Sequence, residues 1–448
     1  MKVVVENTVC LNTGDAAILL AIRHILKSVV KDKLEFLVFD SQPEVAARLY
    51  PKEQYPDIEL RKLPSESIFK YKYDDNTVKN ALKQVYNQAV FQALRHLGSG
   101  NYLDRRFFTD EDRKSLAMYK DADMVITTGG TYLVENYSLE RRINQFKLAE
   151  MLGKKTIFFT QSLGPFAKPY NRRNLPPVFA RSPLILLRDV RSRDHILDLV
   201  DDPSKCHVVA DSVFALADVE RIKALLTIGR PPAPTGRVGI SVRHWHYVQG
   251  GQGGMDRYID SVRAISTKLV RDYGKKITFI STCQGVPEYA HDDSKTANAI
   301  VSGLEPEIAS HVSVDASFHT PEQLMAVVKD FDFVVSTRMH MMIMSLCVGT
   351  PVLPIAYEFK TKEVAKRIGV DDVLLDIDTV TPDEALGRLD RFVGDLDHYR
   401  AVSLKAVLEE HASAMSAADL IRPLLPSSAA DRSHSLRQDL EQDLARLA

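Results

Sequence analysis

The chain has 448 residues, a formal net charge of -1 and a charged fraction of 26%. This balance excludes bulk attraction to nucleic acid, and the hydrophobic fraction of 45% provides enough apolar material for two sizeable cores. The four cysteines form no C-x-x-C pair, so we expect buried free thiols and no metal site. The longest apolar stretch, residues 341–357, is interrupted by glycine and proline and is too short to span a bilayer. We expect a cytoplasmic protein, with peripheral contact at the inner face of the membrane left open.

Short runs rich in Val and Ile predict β-strands throughout the first half of the chain. They lie at Lys2–Glu6, Leu34–Phe39, Asp123–Thr127, Thr156–Thr160, Ile185–Arg188 and His207–Ala210. Continuous apolar runs of this length are typical of strands that are covered on both faces. Helical patterns such as Ala16–Val30 lie between them, and this alternation indicates a parallel sheet with crossover helices.

Residues 64–118 break this alternation. The segment has a helical pattern and is rich in aromatic and basic side chains, so we predict a helical insertion in the first lobe. Two interpretations stay open: a packed subdomain with a solvated basic face, or a substrate-binding or membrane-facing element.

A proline-rich segment, residues 229–236, cannot continue a helix and is interpreted as a linker. After it, a helical pattern at Met255–Tyr273 alternates with candidate strands at Val238–Val242, Ile277–Ser281, Val312–Val314, Phe333–Ser336 and Val352–Ile355. We therefore predict an α/β protein with two doubly wound Rossmann-like lobes, residues 1–228 and 237–425, that face a cleft. Residues 426–448 form a polar tail that we expect to be mobile or loosely docked.

The segment Asn12–Ile18 places polar groups directly after the first predicted strand. Gly14 permits a tight turn there. Asp15 is interpreted either as the N-cap of a helix that begins at Ala16 or as a carboxylate at the mouth of the cleft. In the second role it would accept a proton from a hydroxyl group.

Glycine-rich and polar segments also follow other predicted strands. Gly129 and Gly130 indicate either a tight βα turn or a place where the backbone approaches a ligand closely. Gln161 directly follows the next strand. Residues 249–254 form either a phosphate-cradling turn or a flexible loop, but they lack the Lys-Ser/Thr ending of a P-loop.

Two arginines end predicted strands, one in each lobe. Arg188 either faces the cleft or pairs with Asp189 or Asp211, and we favour a structural ion pair. Arg243 ends the first strand of the second lobe, two residues before Trp245, and is expected to project into the cleft.

The strongest constellation follows the strand Phe333–Ser336. Arg338 and His340 open the next helix, so their side chains and the free backbone N–H groups of a helix N-terminus converge at one edge of the sheet. The following strand ends near Tyr357 and Lys360, which adds a cation at the same edge. This arrangement predicts a site for a phosphate or a carboxylate.

Taken in order, these motifs resemble the polysaccharide pyruvyl transferase family from residue 1 to about residue 370. They are N-T-G-D-A-A-I (12–18), T-G-G-T (128–131), Q-S-L-G-P (161–165), L-R-D-V-R-S (187–192), G-I-S-V-R (239–243) and S-T-R-M-H through Y-E-F-K (336–360). The resemblance implies a GT-B-like fold, phosphoenolpyruvate as donor, and transfer of pyruvate as a ketal onto two hydroxyls of a sugar during synthesis of a surface or extracellular polysaccharide.

Carried over by position, the resemblance implies that Arg243, Arg338 and His340 hold phosphoenolpyruvate, with Met339 and Lys360 beside them. It assigns to the acceptor side Asn12, Gly14, Asp15, Gly129, Gly130 and Gln161. The chain departs mildly from the family pattern, because two glycines stand where three are frequent and Met339 stands where Leu is usual. The insertion and the tail are not covered, so the resemblance does not identify the acceptor.

These residues suggest a mechanism in which His340 is the general acid or the partner of the leaving phosphate. Arg338 and Arg243 would stabilise negative charge, and Asp15 would be the base for the acceptor hydroxyl. We expect no cofactor and no metal, with phosphoenolpyruvate as co-substrate and a sugar or lipid-linked oligosaccharide as acceptor, and we leave a homo-oligomer open. Two alternatives remain: a GT-B glycosyltransferase with a nucleotide-sugar donor, or a non-catalytic partner in polysaccharide assembly.

Overall fold

Two parallel sheets flanked by helices form the framework of the protein, in a computed structural model that describes residues 1–71, 77–97, 106–228 and 233–426. The first sheet contains β1 (Lys2–Thr8), β2 (Glu35–Asp40), β3 (Ile58–Lys62), β4 (Met124–Thr127), β5 (Gly130–Leu133), β6 (Thr156–Leu163), β7 (Ile185–Leu187) and β8 (Cys206–Val208). Their order is β3-β2-β1-β4-β6-β7-β8, and β5 pairs with β6. Neighbouring strands run parallel, as the sequence predicts.

The second sheet has a similar layout. It contains β9 (Arg237–Ser241), β10 (Lys276–Phe279), β11 (Val312–Val314), β12 (Phe333–Ser336), β13 (Val352–Ala356) and β14 (Leu375–Asp376). Their order is β11-β10-β9-β12-β13-β14, again with parallel neighbours. The predicted α/β class with Rossmann-like sheets is therefore confirmed.

The central strand β1 explains why the predicted strands read as continuous apolar runs. Val3 and Val5 pack into the core on one face of the first sheet, whereas Val4 packs into a separate core on the opposite face. Helices cover both faces, so successive residues are buried although they point in opposite directions.

Three strands were not predicted from the sequence, for different reasons. β3 is an edge strand with the sequence I-E-L-R-K, and its half-buried polar residues give no apolar run. β5 begins at a glycine, and β14 has only two residues. Strands of these kinds are defined by their pairing with neighbours and not by their own composition.

Helices connect the strands. In the first lobe they are α1 (Thr13–Val29), α2 (Pro43–Leu49), α3 (Pro64–Ile68), α4 (Thr77–Arg95), α5 (Asp110–Lys120), α6 (Glu140–Met151), α7 (Pro169–Arg181), α8 (Val190–Asp194) and α9 (Val219–Ile228). After β9 they are α10 (Gly251–Arg271), α11 (Asp293–Val301), α12 (Pro306–Ala309), α13 (Pro321–Val328), α14 (Met339–Cys347), α15 (Phe359–Arg367), α16 (Pro382–Gly394), α17 (Leu396–Met415) and α18 (Ala417–Ile421). Short 3₁₀ turns lie at Pro203–Lys205, Ser212–Leu216 and Arg422–Leu424.

The last helices of the chain pack against the first lobe. The Ala210 backbone N–H donates a hydrogen bond to Ser413 Oγ at 3.0 Å, and His411 Nδ1 lies 3.0 Å from the Phe214 carbonyl oxygen. The sequence assigned residues 237–425 to the second lobe, but helices at the end of this range pack against the first lobe. A helical pattern shows that an apolar face must be buried and does not show which lobe buries it.

The insertion is a helical layer that packs on one face of the first sheet, in the core that also contains Val4. In α3, α4 and α5 and the residues beside them, Ile68, Phe69, Val90, Leu94 and Leu116 are buried together. The first half of α4 projects outward, where three apolar side chains remain exposed: Val78 (69%), Leu82 (63%) and Val85 (66%). Within the described ranges, no helix is both long enough and apolar enough to cross a membrane. Residues 229–232 of the predicted linker and the tail from residue 427 lie outside the described residues.

Candidate active site between the two sheets

A cleft of about 390 Å³ lies where the strand order reverses in each sheet, between β1 and β4 and between β9 and β12. Loops at the carboxyl ends of these strands form its walls. Within the described part of the chain, its cationic lining consists of Arg141, Arg142, Arg188, Arg243, Arg338 and Lys360, whereas its carboxylate lining is Asp15 alone. Arg188, Arg338 and Lys360 each pair with a carboxylate, and the remaining excess of positive charge favours an anionic ligand.

The cleft brings together most of the residues that the sequence singled out. These are Asn12, Asp15, Gly129, Gly130, Arg243, Arg338, Met339, His340, Tyr357 and Lys360. They come from both sheets, so each lobe supplies one wall. The resemblance also assigned Gly14 and Gln161 to the acceptor side. These two residues do not line the cleft.

Arg338 is the N-cap residue of α14 and is buried. Its Nε and Nη2 atoms donate to the two carboxylate oxygens of Asp293, at 2.8 and 2.7 Å, in a bidentate ion pair. Asp293 also accepts from Ser281 Oγ at 2.6 Å. The guanidinium is thereby fixed in orientation, and its Nη1 atom remains for a ligand.

Arg243 is held in a different way. Its Cζ atom lies 4.1 Å from the ring centroid of Tyr357 and 4.5 Å from that of Trp245. Among the described residues, no carboxylate forms an ion pair with this guanidinium. Aromatic faces orient the cation without cancelling its charge, so Arg243 can attract an anion from the cleft.

His340 lies on α14 but contacts the first lobe. Its Nε2 atom is 3.7 Å from Asp211 Oδ2, and Asp211 in turn accepts from Arg188 Nη1 at 2.9 Å. Although burial acts in the opposite direction, His340 and Arg188 hold the pKa of the Asp211 carboxyl well below its usual range. An ionised carboxylate therefore faces the imidazole, as a proton-transfer group requires. The predicted structural ion pair of Arg188 is confirmed with Asp211, and Arg188 also lines the cleft.

Gly14 explains how His340 can lie so close to the first lobe. A Cβ atom at Gly14 would lie 2.7 Å from His340 Nδ1 and 2.8 Å from His340 Cβ. Gly14 was expected to form a tight turn, but it lies inside α1, which begins at Thr13. Its function is therefore to let a helix of the first lobe touch the imidazole.

Asp15 lies in the first turn of α1 and is not its N-cap. Asn12 caps the helix, because its Oδ1 accepts from the Gly14 N–H at 2.9 Å, while its Nδ2 donates to Asp15 Oδ2 at 2.8 Å. The interpretation of Asp15 as the cap is wrong, because α1 begins at Thr13 and Asp15 is already inside the helix. Burial raises the pKa of the Asp15 carboxyl, against the opposing charges of His340 and Lys360. This favours a role in proton transfer.

Lys360 joins the two walls. Its Nζ atom donates to Thr131 Oγ1 at 3.1 Å and lies 2.6 Å from a carboxylate oxygen of Glu358. Thr131 also accepts from Arg188 Nη2 at 2.8 Å. The Lys360 side chain therefore belongs to the second lobe and donates a hydrogen bond to the first lobe.

Gly129 and Gly130 do not form a βα turn, because Gly130 opens strand β5 beside β6. Gly130 has φ +139°, a conformation that favours glycine. Gln161 is fully buried, and its Nε2 donates to Tyr132 OH at 2.7 Å. Gln161 therefore supports Tyr132, which lines the cleft, and does not line it itself.

The glycine-rich segment at residues 249–254 starts helix α10. Gly250 is its N-cap with φ +83°, and a Cβ atom at Gly254 would lie 2.1 Å from the Gln249 carbonyl oxygen. The flexible-loop alternative is wrong for residues 251–254, which are helical, and the phosphate-cradling turn stays a prediction. The glycines permit a tight first turn beside the loop that carries Arg243.

Sequence reasoning missed several charged residues of the site. Asp293 follows Asp292 at the start of α11, where the pair reads as an ordinary helix N-terminus. Arg141 and Arg142 lie in a polar helix without a motif. Their adjacency in the sequence was the available signal, but only folding shows that both line the cleft.

Known proteins resemble this chain in sequence and in fold. The family model "Polysaccharide pyruvyl transferase" matches residues 12–358. The amylovoran biosynthesis protein AmsJ of Erwinia amylovora is 24% identical over 422 residues, which cover 90% of this chain and 94% of AmsJ.

Solved structures resemble the fold at lower identity. HepE from Anabaena, solved with UDP and glucose, has a TM-score of 0.52 at 12% identity, covering 95% of this chain and 99% of HepE. A putative UDP-N-acetylglucosamine 2-epimerase from Listeria monocytogenes has a TM-score of 0.52 at 11% identity, covering 94% of each chain. These likenesses confirm the GT-B-like arrangement of the two sheets. The family match includes most of the residues that form both walls of the cleft, and the chain belongs to the polysaccharide pyruvyl transferase family.

Proposed function

We propose that this protein transfers pyruvate from phosphoenolpyruvate onto two hydroxyl groups of a sugar, as a cyclic ketal, in the biosynthesis of a surface or extracellular polysaccharide. The observation that carries the proposal is the charge of the cleft. Among the described residues that line it, cationic side chains outnumber the carboxylates, of which Asp15 is the single example. Membership of the family and the likeness to an amylovoran biosynthesis protein support it.

Phosphoenolpyruvate carries a phosphate and a carboxylate, and the second-lobe wall offers cations for both. Arg243, stacked on two aromatic rings, keeps its charge available. Arg338 has Nη1 free of Asp293. Lys360 lies beside Tyr357, with Nζ 5.4 Å from the ring centroid, and also pairs with Glu358 at 2.6 Å. Guanidinium groups bind phosphate and carboxylate oxygens through parallel hydrogen bonds, which suits a ligand with two anionic groups.

In the proposed reaction, a proton adds to C3 of the enol and C2 acquires oxocarbenium character. One sugar hydroxyl forms a C–O bond to C2 and loses its proton to a base. The bond from C2 to the phosphate oxygen then breaks, and inorganic phosphate leaves with the electron pair. The second hydroxyl attacks C2 and releases its proton, so phosphoenolpyruvate and a diol give a ketal and phosphate.

His340 is the proposed proton donor. Asp211 faces its Nε2 atom at 3.7 Å and is held ionised by its surroundings, so it can stabilise positive charge on the imidazole. The cations of the second lobe stabilise the leaving phosphate. Asp15, near His340 and Lys360, is the proposed base for the acceptor hydroxyl.

The proposal is tested by calorimetric titration with phosphoenolpyruvate and with UDP- and GDP-sugars, followed by mass spectrometry of the glycan from cells with and without the protein. We expect phosphoenolpyruvate to bind and the glycan to lose the mass of a pyruvate ketal when the protein is absent. Preferential binding of a nucleotide sugar, with an unchanged glycan, would contradict the proposal.

Variants of the proton donor provide a second test. We expect His340→Ala to lower the rate of phosphate release about 10²–10⁴-fold, as for loss of a general acid. Asp211→Asn preserves shape but removes the charge that faces Nε2, and it should also lower the rate. Near-normal turnover in His340→Ala would exclude the catalytic role of this residue.

A further inference from the structure

A tyrosine that takes no part in the proposed reaction lies between the two segments that carry the donor arginines. Tyr258 is on α10, is fully buried and does not line the cleft. Its hydroxyl oxygen accepts a hydrogen bond from the Arg243 backbone N–H at 3.3 Å and lies 2.8 Å from Thr337 Oγ1. Thr337 directly precedes Arg338 in the chain. One buried hydroxyl therefore contacts the chain beside both arginines.

The position of this hydroxyl follows from the way the second sheet ends. Strands β9 and β12 are paired as far as Ser241 and Ser336, and the Thr337 N–H then donates to the Ser241 carbonyl oxygen at 2.9 Å. Two residues after Ser241, the Arg243 N–H donates to the phenol and not to a neighbouring strand. Backbone amides at the end of a buried sheet need such a partner. The phenol thus continues the hydrogen bonding between the two segments beyond the last paired residues.

Helix α10 holds Tyr258 firmly at this point. The Gln249 N–H donates to Asp378 Oδ1 at 2.9 Å, and Arg257 Nη2 donates to the Asp378 carbonyl oxygen at 2.7 Å. These bonds fix the start of the helix against the residues that follow β14. Burial raises the pKa of the Tyr258 phenol, so the hydroxyl stays protonated and keeps both a donor and acceptor capacity.

The other supports of the two arginines act on each guanidinium separately. Trp245 and Tyr357 stack on the Arg243 side chain, whereas Asp293 binds the Arg338 side chain. These contacts orient the side chains, but they do not connect one arginine segment to the other. Groups that bind one small ligand together must also be held at a fixed spacing by the residues behind them.

We propose that Tyr258 is a positioning residue whose hydroxyl sets the spacing of Arg243 and Arg338, so that both guanidinium groups bind one phosphoenolpyruvate molecule. The phosphate and the carboxylate of this ligand are a few bonds apart, and a shift of either arginine segment weakens one of the two contacts. The identity of the ligand rests on the proposed function. The hydrogen-bonded link between the two segments does not.

The only tryptophan of the chain provides the readout, because Trp245 stacks on Arg243 within the segment that Tyr258 holds. Phosphoenolpyruvate is titrated into the full-length native protein and into Tyr258→Phe, with the fluorescence of Trp245 as the signal. The variant keeps the ring and loses the hydroxyl. We expect it to bind phosphoenolpyruvate about tenfold more weakly, because the link between the arginine segments is lost. Without ligand, acrylamide should quench Trp245 more strongly in the variant, because its segment is held less firmly.

Variants of Thr337 test the same link from the other side and remain informative if Tyr258→Phe does not fold. Thr337→Val replaces the hydroxyl with a methyl group and should also weaken phosphoenolpyruvate binding. Thr337→Ser keeps the hydroxyl and should restore an affinity near that of the native protein. The double variant Tyr258→Phe and Thr337→Val should bind little more weakly than Tyr258→Phe alone, since both changes remove one shared hydrogen bond.

Tyr399→Phe is the matched control, because Tyr399 is a buried tyrosine on α17 whose hydroxyl donates to Asp372 Oδ2 at 2.9 Å and does not contact either arginine segment. It should keep the native affinity and the native quenching. Unchanged phosphoenolpyruvate affinity in Tyr258→Phe, or equal weakening in Tyr399→Phe, overturns the inference. If the native protein does not bind phosphoenolpyruvate, the proposed function fails and the quenching decides alone: stronger quenching in Tyr258→Phe supports the positioning role, and unchanged quenching overturns it.

Discussion

At the scale of single residues, Glu6 makes the stability of the folded state depend on pH. It lies in the buried part of β1 and accepts a hydrogen bond from Tyr119 OH at 2.6 Å. Burial raises the pKa of Glu6 from 4.5 to about 7, against the hydrogen bonds of Tyr119 and Gln145 and the charge of Arg142. The folded state therefore binds the proton more tightly than the unfolded state. The resulting stabilisation is complete below pH 4.5 and is lost as the pH rises through about 7.

We expect Glu6→Gln to remove this dependence, because the amide does not titrate. Between roughly pH 5 and pH 8 the free energy of unfolding of the native protein should fall by on the order of 3 kcal/mol more than that of the variant. Urea unfolding followed by circular dichroism measures the difference. Glu53→Gln, at an exposed glutamate, is the control and should keep the native slope. Parallel pH profiles for Glu6→Gln and the native protein would contradict the assignment.

Single residues also show where sequence reasoning stopped. The motif that contains Arg338 and His340 was predicted at a helix N-terminus after a strand, and the structure places it there. The partners Asp293 and Asp211 were not predicted as its partners, because they are 45 and 129 residues away in the chain. Charge pairs of that separation depend on the packing of whole elements and leave no local pattern.

At the scale of elements, α4 presents an unusual surface. Val78, Leu82 and Val85 are spaced by four and three residues, so they lie on one face of the helix, and all are exposed. The helix sequence contains Lys79 and Lys83 and no acidic residue. An apolar face beside basic residues is typical of a helix that lies at a membrane surface.

We therefore expect the protein to sediment with vesicles of phosphatidylglycerol and phosphatidylcholine. Leu82→Asp should lower the bound fraction about tenfold or more, because it removes a leucine from the apolar face and adds a charge that anionic lipid repels. Leu197→Asp is the control, since Leu197 is an exposed leucine in the segment between α8 and β8. If both variants bind vesicles equally well, α4 has a solvated basic face and does not contact lipid.

Elements differed in how well the sequence predicted them. Buried central strands were found because Val and Ile runs require cover on both faces, as Val3 to Val5 illustrate. The start of α1 was misplaced by three residues, because Asn12 competes with Asp15 for the cap and both are good N-cap residues. The glycines before Met255 were assigned to a loop, although they begin α10.

At the scale of the whole molecule, the two lobes touch through Gly14 and His340. We expect Gly14→Ala to displace the imidazole, since the new Cβ would lie 2.7 Å from Nδ1. Displacement of a reacting group by about an ångström lowers rates about 10²-fold, so turnover should fall by that order. Phosphate release measures turnover, and thermal unfolding shows whether the fold persists.

Gly387→Ala provides the matched control, because Gly387 also lies inside a helix and a Cβ there meets no atom within 4 Å. It should stabilise the protein by up to about 1 kcal/mol and leave turnover unchanged. Normal turnover in Gly14→Ala would show that the imidazole tolerates the displacement.

The contact between Asp211 and His340 also restricts how this protein can be recombined. The carboxylate follows the first sheet and the imidazole opens a helix of the second, so neither half of the chain carries the complete pair. A chimaera that exchanges a whole lobe with a distant relative must therefore re-form this junction. Redirecting the proposed transfer to a new acceptor is better attempted by grafting loops of the first-lobe wall, where a graft leaves the junction intact.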